Sequence, residues 1–206
     1  VTPPQSSSFF QGLSFAFSTS AEHPLSDNAI LNPSAALHLQ LDNSQYSVST
    51  KLAVLRRLLQ NGTGEDTELT RLVNEVKHGA KTLVVHVNKA DYIATLVRLK
   101  RDVAPGMKLT ILGGAESWIV ADELAKEDVG VIVTPARSFP GTWDQRRILP
   151  GPPLSQHTLP SYLAERGVVS FLPTPSSPSR GSTSTRVRAD ESVVESRIGH
   201  CRRVAS

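Results

Sequence analysis

Cysteine is nearly absent. Cys201 is the only one in 206 residues, so neither a disulfide framework nor a cysteine zinc cluster can form within one chain. Long apolar runs are missing too, and nothing approaches the roughly 18 uncharged apolar residues of a membrane-spanning helix. The sequence therefore predicts no membrane partner. A charge of one sign is also lacking over most of the chain. Lys and Arg number 22 against 19 Asp and Glu, and six Arg and three acidic residues fall from Pro173 onward, which leaves 16 of each before it. The body is neutral, so nothing favours binding to a phosphate backbone, and nucleic acid is not expected as a partner. The N-terminus, beginning Val1-Thr2-Pro3, carries no initiator Met and no basic-then-apolar leader pattern. It reads as a processed chain or the interior of a longer one. A soluble compartment, cytoplasmic by default, is the expectation.

What remains is an ordinary apolar share of 39%, enough for one domain. Residues 1–50 are rich in Ser, Pro, Asn and Gln and read as irregular, with one short strand near Leu13 to Phe17. From Lys51 the texture changes. Leu52, Leu55, Leu58 and Leu59 recur at helical spacing up to Asn61-Gly62, and Leu69, Leu72, Val73 and Val76 mark a second amphipathic helix ending at Gly79. Thr63 and Asp66 resemble a capping box for it.

Strand and helix then alternate. Thr82 to Val87 reads as a buried strand, with Asn88 as the cap of a helix running to Pro105. Lys108 to Leu112 is the next strand, followed by a helix from Glu116 to Glu127 with Trp118 and Ile119 inward. A third strand, Gly130 to Val133, a Pro/Gly-rich loop, a short helix from Thr158 to Arg166, and a strand from Val168 to Leu172 complete the pattern. Such alternation predicts an α/β fold with a parallel sheet over residues 51–172. Residues 173–206 are a basic, low-complexity tail that reads as disordered.

In parallel α/β sheets, ligands gather at the carboxyl ends of the strands. His86 lies there, and reads either as a hydrogen-bonded core histidine or as a metal ligand or general base. Gly113-Gly114 opens a helix, and its amides could approach a phosphate or carboxylate; Glu116 next to it suits the dipole of the helix it starts. Trp143 and Asp144, in the Arg-rich stretch 137–147, could line a polar substrate pocket or belong to a solvated loop. His23, His38, His78 and His157 share no spacing that assembles a site and read as surface or loop residues.

The run Leu83-Val-Val-His-Val-Asn-Lys-Ala-Asp-Tyr-Ile93, with Leu109-Thr-Ile-Leu-Gly-Gly-Ala-Glu-Ser-Trp118 and Ala121-Asp-Glu-Leu124, resembles the second half of a metal-dependent amidohydrolase barrel. The similarity is to the imidazolonepropionase-like amidohydrolases, including fungal relatives grouped with N-acetylglucosamine-6-phosphate deacetylases. Phe139 to Pro153 and Gly12 to Thr19 resemble the fungal members in particular. The resemblance spans about residues 10–172 and implies a (β/α)8 TIM barrel of the metal-dependent hydrolase type. It also implies one or two divalent metals, usually zinc, that activate water to hydrolyse a non-peptide C–N bond of a small-molecule substrate. By the same resemblance His86 matches the metal ligand of the fifth strand.

Against the family pattern, His-x-His occurs nowhere, Gly113 and Gly114 stand where many members carry the sixth-strand His, and the last strand meets the Ser/Pro tail before any Asp-containing loop. One imidazole does not hold a catalytic zinc, which takes about three protein ligands. The expectation is an amidohydrolase-related chain forming roughly half a barrel, with an incomplete catalytic set and self-association to complete the barrel. The alternatives are a non-catalytic module that holds an anion at the Gly113-Gly114 turn, and an interaction protein whose basic tail contacts an acidic partner.

Overall fold

The computed structural model describes residues 9–18, 23, 26, 29–41, 47–61, 68–135, 144–173 and 184–187. Seven strands form one sheet in chain order: β1 (Phe10–Phe17), β2 (Ile30–Gln40), β3 (Thr82–Val87), β4 (Lys108–Gly113), β5 (Gly130–Val133), β6 (Ser170–Pro173) and β7 (Ser184–Val187). Strands β2 to β6 run parallel, whereas β1 pairs antiparallel with β2 and β7 antiparallel with β6. The connections carry α1 (Val48–Asn61), α2 (Glu68–Lys77), α3 (Ala90–Val103), α4 (Ala121–Lys126) and α5 (Leu159–Glu165). Among the described residues the sheet is open, a parallel core bounded on both sides by antiparallel strands, where the resemblance implies part of a closed barrel.

Sequence periodicity explains which face is covered. Side chains alternate across a strand, and Leu37, Leu39, Leu83, Val85, Val87, Leu109, Ile111, Val131 and Val133 join one buried cluster with the helices. Leu55, Leu59, Val73, Val76, Ile93, Leu96, Leu124, Leu159 and Leu163 are the helical half of that cluster. The residues between them on the strands point to the opposite face.

Three expectations change. The segment 1–50 is not irregular throughout, because β2 supplies the first parallel strand. Its signal is Leu37-His38-Leu39-Gln40-Leu41, whose leucines are buried; Asn32-Pro33-Ser34 masks it. Pro33 lacks an N–H for a central ladder, and the structure places it where β2 meets only β1, since pairing with β3 starts at Ala36. Glu116 to Glu127 is not one helix. A 3₁₀ turn, Ser117–Val120, precedes α4, and Ile119, expected inward, is 53% exposed. In the tail, Ser184–Val187 forms β7 along the otherwise unpaired edge of β6; the remainder of 174–206 lies outside the described residues, as do Thr63 and Asp66.

Candidate functional site at the carboxyl ends of the strands

The loops after β3 and β4 are tied to each other. Gly114 donates its N–H to the Val87 carbonyl at 2.9 Å, and Glu116 donates its N–H to the Asn88 carbonyl at 3.0 Å. Ser117 N–H bonds to the Gly114 carbonyl at 3.0 Å, within the turn itself. These amides are therefore spent on the protein's own backbone, and the turn is not the open cradle that an anion requires. The Gly114 amide in particular is not offered to an anion.

Glu116 does something other than serve its own helix. Its carboxylate is buried and accepts the Ala90 N–H at 2.9 Å, at the N-terminus of α3, and a bond from Arg147 Nη1 at 2.8 Å. Asn88 is not the cap of α3; Lys89 holds that position and makes no side-chain cap. Glu116 supplies the negative charge and the acceptor instead, from 26 residues away. Trp118 adds a second tie, its Nε1–H donating to the Arg147 carbonyl at 3.0 Å. The stretch 144–147 is thereby anchored against the β4 loop.

His86 sits half-buried near the end of β3, on the face that the helices leave open. In register with it are Gln40 on β2 and Leu112 on β4. Gly113, at φ +99°, leaves room for its neighbours: a Cβ there would lie 2.7 Å from Asn88 Oδ1 and 3.3 Å from His86 Cδ2. Gln40 accepts a bond from Gln11 Nε2 at 3.0 Å. Behind Gln40, the buried Lys51 ammonium donates to the Gln40 and Leu41 carbonyls at 3.1 and 2.7 Å and fixes the end of β2.

His38, read from sequence as a surface or loop residue, is buried in β2 on the same face as His86 and Gln40. Its Nε2 has no hydrogen-bond partner among the described residues, and burial pushes its pKa below the ordinary 6.5. The folded state therefore prefers neutral His38, and the stability this gives is present above about pH 6.5 and lost as pH falls toward the lowered value. Urea midpoints measured between pH 7.5 and 5 should decline, and the His38→Asn chain should show a shallower decline; equal slopes would remove His38 as a source.

A catalytic zinc needs about three protein ligands. Among the described residues no group of three or more His, Cys, Asp or Glu could hold a metal ion. The Glu116 carboxylate is taken up by Ala90 and Arg147. The described residues do not fit a catalytic zinc, and His86 remains a single candidate ligand. The structure brings His86, Gly113, Gly114 and Glu116 to one end of the sheet, while Trp143 and the Asp144 side chain lie outside the described residues. His157 pairs with Glu165 at 3.1 Å on the surface, away from any such constellation.

No protein-family model matches the chain. It is 31% identical to Amidohydrolase tasK of Hapsidospora irregularis over a 202-residue alignment that takes in 76% of this chain and 21% of that protein. The chain thus spans about a fifth of that relative's length. The crystal structure of an amidohydrolase from Thermotoga maritima MSB8 superposes with a TM-score of 0.63 at 18% identity, covering 82% of this chain and 48% of that one. The structural likeness shows a shared α/β fold, and the sequence likeness supports a place in the amidohydrolase superfamily.

Proposed function

We propose that the chain is an amidohydrolase-related protein of imidazolonepropionase-like ancestry, in which the open sheet face around His86 is the substrate side of a hydrolase of non-peptide C–N bonds. The observation that supports this reading is the 31% identity to an amidohydrolase, joined to an imidazole at the carboxyl end of a parallel strand. Zinc is the metal this ancestry favours, and His86 is the residue in the ligand position. The described residues alone do not complete a ligand set, and on this reading the catalytic set of the chain is incomplete. Completion of the barrel by a second copy draws little support from the topology, since β1 and β7 occupy both edges of the parallel core.

The test is a thermal melt in chelator and in excess zinc, with an amide-hydrolysis assay run alongside. A metal that binds only the folded chain adds about 2.7 kcal/mol at a hundredfold excess over Kd. The expected result is a melt that zinc does not raise, and no zinc-dependent release of ammonia from acetamide or benzamide. A zinc-dependent rise that disappears in His86→Ala would instead show a complete metal site and overturn the assignment of incompleteness.

A further inference from the structure

One row of the sheet crosses all five parallel strands on the face the helices leave open. The register pairs Gln40 with His86, His86 with Leu112, Leu112 with Ile132 and Ile132 with Phe171. The row is polar on β2 and β3 and apolar on β4 to β6, and beyond them β7 sets Arg186 in register with Phe171. Leu112, Ile132 and Phe171 are half-buried and belong neither to the core cluster nor to the hydrophobic residues packed against it. Their neighbours in sequence, Ile111, Val131, Val133 and Leu172, are all accounted for on the helix side. Three large apolar side chains in adjacent register are thus left outside the core, directly beside the imidazole.

Resting on the reading above, we propose that Leu112, Ile132 and Phe171 form the specificity platform of the site, selecting amides with an apolar substituent, while Gln40 and His86 face the amide group. Strands lie about 4.8 Å apart, so β4 to β6 span roughly 10 Å, the size of an aryl ring with a short extension or of a branched alkyl group. Arg186 adjoins the row only beyond Phe171, on β7, so across β4 to β6 apolar contact is the discriminating term.

The test uses the full 15N-labelled chain titrated with two probes, acetamide and benzamide, which share the amide and differ in the apolar group. Benzamide should perturb the backbone resonances of Leu112, Ile132 and Phe171 and bind at least tenfold more tightly than acetamide. In Ile132→Asn that ratio should fall to about 1 with acetamide binding unchanged. Ile132→Thr, which keeps the β-branched shape, and Phe171→Ser serve if the first variant does not fold, and Ile119→Asn, exposed elsewhere, should leave the ratio intact. If both amides bind at the row equally well, or the ratio survives the platform variants, the platform is wrong although the substrate side stands. If neither probe perturbs the row, the substrate-side reading fails and the platform with it.

Discussion

Glu116→Ala should lower the stability of the chain by about 2–3 kcal/mol, the scale of losing a charge-assisted hydrogen bond and stranding a buried donor. For a chain of this size that corresponds to a fall in Tm of roughly 4–12 °C. The argument rests on where the carboxylate sits. It is nearly inaccessible, and it satisfies the Ala90 N–H, an orphan donor at the start of α3 that has no capping side chain of its own. Removing it also frees the Arg147 guanidinium from its 2.8 Å contact and leaves the stretch after residue 143 held to the β4 loop through Trp118. Arg147→Ala should cost much less, because that side chain is 70% exposed and water replaces its partner. Glu116→Gln, which keeps an acceptor for Ala90 but loses the charge, should fall between the two. Hydrogen exchange across the first turn of α3 gives the local readout: it should accelerate in Glu116→Ala and hardly change in Arg147→Ala. Equal effects of the two substitutions would mean that the ion pair, not the helix terminus, is what Glu116 serves.

That clamp was only half legible in the sequence. The strand and helix alternation from Thr82 to Val133 is written in local periodicity, and β3 and β5 occupy the residues the pattern assigns. Glu116 was visible as an acidic residue next to a helix start, but the helix it caps is α3, and a link of 26 residues has no local signature. Asn88 shows the converse: a favoured cap type by composition, displaced because the loop turns one residue later, at Lys89. The most consequential gap is β2. Its five-residue alternation from Leu37 to Leu41 was short, and it followed a proline in a Ser-rich stretch, so His38 and Gln40 were not placed beside His86. Register is a property of two strands at once, and sequence shows one at a time. The row Gln40 to Phe171 becomes visible only when the pairing of five strands is known.

Gly113→Ala should be among the most damaging single-atom changes near the site. A residue at φ +99° is in backbone territory that only glycine enters without strain, and a side chain there costs about 1–3 kcal/mol before anything is touched. The added Cβ would then lie 2.7 Å from Asn88 Oδ1 and 3.3 Å from His86 Cδ2. Asn88 has little room to yield, since its carbonyl accepts the Glu116 N–H and its backbone leads straight into α3. Gly167→Ala separates the two contributions, because φ is +77° there and nothing lies within 4 Å of its Cβ position. It should carry the backbone strain alone, so urea melts of the two variants give the collision by difference, with Gly113→Ala the less stable. The same geometry bears on function. Gly113→His would install an imidazole at the strand end where the resemblance implies a second histidine, yet its Cβ would enter the space of Asn88 and the His86 ring. The expected outcome is a chain less stable than Gly113→Ala whose melt zinc does not raise. A Gly113→His chain that folds normally and gains a zinc-dependent rise would show that the loop can relax around a side chain, and that the glycine is not a packing requirement of the site.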